Sequence, residues 1–357
     1  MSQRNADVDD TSLLTLYDCL LHSRSSTFAV SSFHAQSQVV AVSRDVIPNQ
    51  TAGYGHHETY DEWKDDKLMI KDVMRFLDNV LTDFIEKAPE SFSDATYSAL
   101  KERSVGLGVM GLHSFFQQKK IPFESVMSKV WNKKIFANIQ KQVDQASKDL
   151  AEERGPCPDA AEYGINERFS NKTAIAPTAS ISIICGGTSP GIEPIAANSY
   201  THKTLSGSFN VRNKYLTEVL EKYGKNDEET WSSITTNQGS VSHLDFLTQE
   251  EKDVFKTAFE LDQRWIVDLG ADRTPHISQA QSINIFIPAD IHKKDLHQIH
   301  FQAWKKGLKS LYYCRSKSIQ RAENINTGSN TDVTKNVYSN NNNETNEANY
   351  EECLSCQ

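Results

Sequence analysis

The sequence predicts an α/β fold, because helical patterns alternate with short β-like runs along most of its 357 residues. The clearest sign is a strand-like run at residues 282–287 (SINIFI), a helical pattern, and a second strand-like run at residues 310–314 (SLYYC). A further short run, at residues 173–176, precedes a turn. A strand, a helix and a strand in this order predict two parallel strands joined by a right-handed crossover. Periodicity alone leaves open whether the sheet closes into a barrel.

Long helices are predicted where apolar residues recur at helical spacing and so form one buried face. The first spans residues 62–84, and the second ends at Gly155. The third is predicted as one continuous helix, from a capping box at Thr248 and Glu251 to Gly270. These helices would cover the faces of the predicted sheet.

Composition divides the chain into three parts. Residues 1–60 lack sustained periodicity and are interpreted as a divergent N-terminal extension, whereas residues 61–322 contain the predicted helices and strands. Residues 323–357 are rich in Asn and poor in apolar side chains, which predicts a disordered tail.

Charge and hydropathy exclude several classes of function. A formal net charge of -9 argues against binding to a nucleic-acid backbone, although a small anionic substrate would need only a local pocket. No apolar stretch approaches the roughly 20 residues that span a bilayer, and the start resembles no signal peptide, so a cytoplasmic location is expected. The six cysteines fit no disulfide framework and no zinc motif, so they are expected to be reduced thiols.

The last two cysteines form a candidate redox site. Cys353 and Cys356 are separated by two residues at the end of the predicted tail. Such a pair can close a small disulfide, and a flexible tether of about 30 residues has an r.m.s. reach of roughly 30 Å. Half of a zinc site and two idle surface thiols remain alternatives on spacing alone.

A second candidate site follows the run at residues 173–176. After Pro177, Thr178 or Ser180 can cap a short helix, whose unpaired backbone N–H groups would suit phosphate oxygens. An ordinary strand-to-helix turn with a hydroxyl cap is the alternative.

Tyr312 and Tyr313 form the third candidate site. Neighbouring residues of a regular strand point to opposite faces, so their rings would touch only if the backbone bends. Packing on the two faces of a sheet is the alternative, and Cys314 is expected in the core.

Weaker candidates are better explained without chemistry. His56 and His57 are adjacent and lack supporting ligands for a metal. Gly106, Gly108 and Gly111 have the spacing of a dinucleotide-binding loop but follow no predicted strand, and Cys157 and Cys185 are expected to be small buried or loop residues.

Taken together, six segments in this order resemble the C-terminal half of the large (α) subunit of class I ribonucleotide reductases, particularly bacteriophage versions. The segments are RSVGLGVMGL (103–112), ERGPCP (153–158), IAPTASISIICGGTSPGIEP (175–194), QSINIFI (281–287), GLKSLYYCR (307–315) and the final CLSC. The resemblance implies the C-terminal half of a ten-stranded α/β barrel. It also implies that a diphosphate binds at Pro177, Thr178, Ala179, Ser180 and Ile181. By the same resemblance, Tyr312 and Tyr313 would pass a radical, and Cys353 and Cys356 would re-reduce an active-site disulfide.

The partners implied by the resemblance lie largely outside the chain. A small (β) subunit would supply a di-iron and tyrosyl radical centre, with no cofactor held by this chain, and thioredoxin or glutaredoxin would reduce the tail. The family's Asn-x-Cys-x-Glu motif is missing, because Cys19 is flanked by Tyr17 and Leu21. We therefore expect a split large subunit, whose separate N-terminal chain carries the catalytic cysteine and the ATP and dNTP effector sites. A non-catalytic scaffold and a general thiol-disulfide oxidoreductase are the alternatives.

Overall fold

The computed structural model describes residues 67–179, 182, 187–204 and 207–316, and the backbone of residues 28–32 and 39–43. The predicted tail with Cys353 and Cys356 lies outside the described residues, as do His56 and His57.

Strands and helices alternate along the described chain, and the predicted α/β class is confirmed. The strands are β1 (Phe28–Ser32), β2 (Val39–Ser43), β3 (Val105–Val109), β4 (Ser199–Thr204), β5 (Gly207–Arg212), β6 (Ile285–Ile287) and β7 (Cys314–Ser316). The helices are α1 (Lys67–Lys87), α2 (Ser93–Glu102), α3 (Leu112–Gln118), α4 (Val126–Arg154), α5 (Pro158–Glu162), α6 (Lys214–Lys222), α7 (Glu228–Thr236), α8 (Gln249–Val254), α9 (Gln263–Arg273) and α10 (Lys293–Lys305). Two 3-10 turns lie at Glu90–Phe92 and Thr274–His276.

The main sheet is built from parallel neighbours. Strand β1 pairs with β2 in antiparallel orientation, and β2 pairs with β3 in parallel orientation. Single parallel bridges then join Leu107 of β3 to Thr173, and Ile175 to Gln281. Residue 281 leads into β6, which pairs with β7 in parallel orientation, as the strand, helix and strand pattern predicted. Five neighbouring segments therefore run in one direction, and part of the predicted N-terminal extension belongs to this sheet.

Gly108 permits two of these segments to approach each other closely. A Cβ atom at this position would lie 2.3 Å from the carbonyl oxygen of Ala174, closer than real Cβ contacts come. Gly106 and Gly108 lie within β3 itself, and Gly111 begins α3 with a φ of 83°. Gly108 therefore serves close packing and Gly111 serves a turn, and the three glycines do not form a dinucleotide-binding loop.

Helices α1 and α4 confirm the first two predicted helices and pack against each other. The core between helices and sheet is apolar, with large buried side chains such as Phe115, Phe116 and Phe136. Within the described residues, no helix combines the length and the apolar character needed to span a membrane.

The third predicted helix is wrong as a single helix. The chain leaves the helical path after α8, and α9 begins at a new cap, because Asp262 accepts a hydrogen bond from the Arg264 N–H at 3.0 Å. Phe255, Ala258 and Leu261 of the intervening turn are buried, so the apolar spacing continues through a segment that is not a helix.

The predicted strand at residues 310–314 is also shifted. Strand β7 begins only at Cys314, so both tyrosines precede it. Cys314 is exposed and does not lie in the core, whereas Cys157 is fully buried as predicted.

A buried ion cluster fastens α1 to the ends of α2 and α4. The Asp78 carboxylate accepts hydrogen bonds from Arg103 at 2.7 and 2.9 Å, from Arg154 at 2.8 Å and from Arg168 at 2.9 and 3.2 Å. Burial alone would raise the pKa of Asp78, but the hydrogen bonds and charges of the three arginines lower it below its usual value. The carboxylate is therefore ionised in the folded protein.

Candidate functional site

The turn after residues 173–176 contains the predicted phosphate-binding residues. Pro177 is partly buried, and Thr178 takes a left-handed backbone conformation with a φ of 54°. The Thr178 carbonyl accepts a hydrogen bond from the Ser182 N–H at 2.9 Å, and Ala179 and Ser182 are helical. A strand-like segment thus passes directly into a helical turn, as predicted. Ser180 and Ile181 lie outside the described residues.

A second loop, residues 187–193, braces this turn. The Gly191 N–H donates to the Thr178 hydroxyl at 2.7 Å, so this hydroxyl helps to hold the loop. Ser189 and Ser114 exchange hydrogen bonds of 2.9 and 3.1 Å between their backbone N–H groups and side-chain oxygens, which fixes the loop to α3. A left-handed β-branched residue is strained, and these bonds hold it in place.

Tyr312 and Tyr313 lie with their rings in contact. Their ring centroids are 4.1 Å apart at an interplanar angle of 52°, and the residues are 42% and 44% exposed. The contact is possible because the pair precedes β7 and does not alternate within a regular strand. The contact therefore excludes packing on opposite faces of the sheet and leaves both rings partly accessible.

The backbone register relates the tyrosine pair to the turn. Ile175 is opposite Gln281, so continuing in register brings Pro177 level with Ile283. Ile283 in turn accepts a hydrogen bond from the Tyr312 N–H at 2.8 Å. Since neighbouring strands lie about 4.8 Å apart, the two backbone positions are roughly 10 Å apart. The sheet therefore brings the turn at Pro177 and the Tyr312–Tyr313 pair to corresponding positions along the strand direction.

A buried polar cluster adjoins the pair. Asn284 is fully buried, and its Oδ1 accepts a hydrogen bond from the Tyr313 N–H at 2.9 Å. Glu193 is 6% exposed; burial raises its pKa to about 7, against the opposing effects of the Asn284 amide and the Arg315 charge. The Arg315 guanidinium carbon lies 5.9 Å from the centre of the Tyr313 ring.

His113 is a second buried titratable group near this loop. Its Nδ1 accepts a hydrogen bond from the Ile195 N–H at 3.0 Å. Complete burial lowers the pKa of His113 to about 3, and the nearby backbone of Val254 offsets this only in part. The imidazole is therefore neutral at physiological pH and acts as a fixed acceptor.

Lys309 fixes the chain just before the tyrosines. Its ammonium group donates to the carbonyl oxygens of Ile277, Ser278 and Gln279 at 2.9, 2.6 and 3.0 Å. Three acceptors saturate the three N–H donors of a lysine. The segment between α10 and β7 is thereby tied to the loop that precedes β6.

Sequence reasoning identified the turn and the tyrosine pair but missed Glu193 and Asn284. These two residues are far apart in the sequence, and each stands in an apolar context, GIEPI and SINIF. A lone acidic or amide residue within such a run is the signal that could have indicated a buried polar contact. Within the described residues, no group of three His, Cys, Asp or Glu side chains is arranged to hold a metal ion.

Comparisons with known proteins identify the family to which the chain belongs. Residues 45–166 and 159–314 match the family model described as ribonucleotide reductase, barrel domain. The chain is 51% identical over 272 residues to the ribonucleoside-diphosphate reductase large subunit of Invertebrate iridescent virus 6, which covers 75% of this chain and 28% of that protein. The large subunit of Invertebrate iridescent virus 3 is 43% identical over 269 residues, which is 74% of this chain and 42% of that protein.

A solved structure shares the fold. The class Id ribonucleotide reductase alpha subunit of Actinobacillus ureae matches with a TM-score of 0.68 at 38% identity, covering 74% of this chain and 49% of that chain. The chain therefore spans less than half of the length of each of these relatives.

Proposed function

Because the chain belongs to the ribonucleotide reductase barrel-domain family, we propose that it is the C-terminal portion of a ribonucleoside-diphosphate reductase large subunit. The reaction replaces the ribose 2′-hydroxyl of a ribonucleoside diphosphate with hydrogen, and two thiols supply the electrons. The product is a deoxyribonucleotide for DNA synthesis. The two viral relatives, both named as ribonucleoside-diphosphate reductase large subunits, support this reaction.

The contact between Tyr312 and Tyr313 is the observation that carries this proposal. We propose that the pair passes a radical toward the substrate pocket: each phenol loses one electron and one proton, and the phenol before it in the path regains both. Rings with centroids 4.1 Å apart are in direct contact, which allows such an exchange between them. Their partial exposure leaves them accessible to a partner subunit. The radical itself would originate in a di-iron and tyrosyl radical centre of a small (β) subunit.

The proposed substrate site is the turn at Pro177, Thr178, Ala179, Ser180 and Ile181. The beginning of a helix presents backbone N–H groups that suit the oxygens of a diphosphate. The backbone register supports this assignment, because it brings the turn within roughly two strand spacings of the tyrosine pair.

Other parts of the enzyme would lie outside the described residues. The 357 residues contain no Asn-x-Cys-x-Glu motif, so we propose that an N-terminal portion of a large subunit, outside these residues, supplies the catalytic cysteine and the ATP and dNTP effector sites. The five parallel segments would then form one half of a ten-stranded α/β barrel. Cys353 and Cys356 would reduce the active-site disulfide by thiol-disulfide exchange and be reset by thioredoxin or glutaredoxin. Reduced thiols suit a cytoplasmic location.

Reconstitution tests the proposal. The chain is mixed with the complementary N-terminal chain, the small subunit, a thiol reductant and a ribonucleoside diphosphate, and deoxynucleotide formation is measured. Tyr312→Phe and Tyr313→Phe each remove the oxidisable hydroxyl and are expected to abolish turnover while assembly is retained. Tyr97→Phe, at a tyrosine that is 65% exposed on α2, is the matched control and should stay fully active.

The outcomes separate the alternatives. Unchanged activity of both variants with intact assembly would contradict radical transfer and favour a scaffold. Truncation after Glu352 should stop repeated turnover but spare a single turnover. Complete loss of the first turnover after truncation would instead favour a general thiol-disulfide oxidoreductase.

A further inference from the structure

Two complementary polar atoms are buried next to each other beside the tyrosine pair. The side-chain amide and the backbone N–H of Asn284 both lie close enough to the Glu193 carboxyl to lower its pKa. However, Oε1 of Glu193 and Nδ2 of Asn284 complete no hydrogen bond with any described residue. A buried donor or acceptor without a partner costs roughly 1–3 kcal/mol. A small rotation that lets Nδ2–H donate to Oε1 satisfies both groups at once.

The other amide atom of Asn284, its oxygen, contacts the backbone of the proposed radical path. Its Oδ1 accepts from the Tyr313 N–H at 2.9 Å, and the Tyr313 carbonyl in turn accepts from the Ile285 N–H at 2.9 Å. Asn284 therefore determines where the backbone of Tyr313 lies at the point where β7 begins. A group that fixes the orientation of the Asn284 amide also fixes this backbone.

Glu193 is the last residue of the loop, residues 187–193, that braces the turn. Its N–H donates to the Pro190 carbonyl at 3.0 Å, and the neighbouring Gly191 N–H donates to the Thr178 hydroxyl at 2.7 Å. The backbone of Glu193 thus belongs to the loop that braces the proposed diphosphate turn, and its carboxyl lies close to Asn284.

We propose that Glu193 is a positioning residue, whose carboxyl orients the Asn284 amide and through it the backbone of Tyr313. The assignment rests on the proposed function only for its consequence in radical transfer. The backbone arrangement can be tested on this chain alone.

The charge of Glu193 is expected to change within the physiological range. Burial raises its pKa to about 7, so the carboxyl is half ionised near neutral pH. The charged group that acts on it among the described residues is Arg315, while His113, which is bonded to Ile195 two positions further along, is held neutral by burial. A carboxylate accepts a stronger hydrogen bond than a neutral carboxyl. The Asn284–Tyr313 contact should therefore tighten as pH rises through about 7.

Nuclear magnetic resonance on the isolated full chain tests the positioning directly. The chain is labelled with [15N]tyrosine, the Tyr313 amide signal is identified by its loss in Tyr313→Phe, and its shift is followed from about pH 5.5 to pH 8.5. The expected result is a titration with a midpoint near 7 in the wild type and no titration in Glu193→Gln. Glu152→Gln, at an exposed glutamate of α4, is the control and should titrate like the wild type.

A Tyr313 signal that does not shift, or that shifts equally in Glu193→Gln, would overturn the proposal. Should Glu193→Gln fail to fold, Glu193→Asp serves instead. Its shorter carboxyl is expected to lose contact with Asn284 and to reduce the amplitude of the titration, and an undiminished amplitude would count against the proposal.

The reconstituted enzyme provides the functional readout. In Glu193→Gln, kcat is expected to fall about tenfold and to lose its dependence on pH near 7, while KM for the diphosphate is unchanged. An unaltered pH profile, when Tyr313→Phe is inactive, would refute the positioning role and leave the radical path intact. Full activity of Tyr313→Phe would instead refute the proposed function.

Discussion

Replacing Asp78 by Asn removes the one carboxylate that is shared by three arginines in the buried ion cluster. The Asp78 side chain is 0% exposed, and those of Arg103, Arg168 and Arg154 are 6%, 11% and 29% exposed. The substitution keeps the shape but leaves the guanidinium groups without their counter-charge. Arg154 can turn toward solvent, so the main cost comes from Arg103 and Arg168.

The expected loss of stability is that of a broken buried ion pair. Removing one partner of such a pair costs about 3–5 kcal/mol, a large part of the roughly 5–15 kcal/mol that stabilises a typical domain. For a folded unit of about 250 residues, this corresponds to a decrease in Tm of about 6–20 °C. Thermal unfolding followed by circular dichroism measures it.

A matched substitution on the same helix serves as the control. Asp83 pairs with Lys87 at 2.6 Å on the surface of α1, where the two side chains are 60% and 70% exposed. Asp83→Asn should cost less than about 0.5 kcal/mol, because solvent screens exposed pairs. A decrease in Tm for Asp78→Asn no larger than that for Asp83→Asn would refute the reasoning.

The pH dependence gives an independent check. The pKa of Asp78 is lowered in the folded protein, so its contribution is fully present above the unfolded pKa of about 3.9. The contribution is lost as pH falls through the folded pKa. The difference in stability between wild type and Asp78→Asn should therefore be constant from about pH 5 to pH 8 and close below about pH 4.

Three further predictions follow from the fold and the site. Gly108→Ala should destabilise the protein by at least about 2 kcal/mol in urea unfolding, because the added Cβ meets the Ala174 carbonyl oxygen at 2.3 Å. Wild-type stability of this variant would contradict the close approach of the two segments. Glu193→Gln should gain stability relative to the wild type as pH rises from about 4.5 to about 7, by about 1–3 kcal/mol, and the difference should stay constant above that range, because the unfolded chain loses the Glu193 proton near the ordinary pKa and the folded chain only near 7. Equal pH dependence of the two proteins would count against it. Thr178→Val should weaken diphosphate binding to the reconstituted enzyme about tenfold in calorimetry, since it removes the hydroxyl that accepts from the Gly191 N–H at 2.7 Å. Thr178→Ser keeps this hydroxyl and should bind normally, and an equal loss in both variants would exclude this role of the hydroxyl.

The helices could be predicted where one face is buried along the whole length. Helices α1 and α4 follow their apolar periodicity, and the parallel pairing of β6 and β7 follows from the order of the elements. The segment between α8 and α9 misled the prediction, because Phe255 and Leu261 are buried from a turn at spacings that also suit a helix.

The candidate site residues could be named from the sequence, and their roles stay a prediction, whereas their contacts could not be foreseen. Alternation along a strand predicted separated phenol rings, whereas Tyr312 and Tyr313 touch because the strand begins only after them. Glu193 and Asn284 meet through the sheet and a loop, so no local pattern relates them. The resemblance to a known family identified both the turn and the tyrosines, which spacing alone left undecided.

Main-chain hydrogen bonds join the segment of Ile175 to that of Gln281, and Ile283 to Tyr312. Apart from Asn284, whose side chain holds the Tyr313 backbone, most side chains near this register could be replaced without changing the distance between the tyrosine pair and the turn. Inserting or deleting one residue just before Pro177 or Tyr312 would have a larger effect. It would shift the register by one residue and turn the following side chains to the opposite face of the sheet. During divergence, surrounding side chains could therefore change freely, whereas changes in length at these two places would be eliminated.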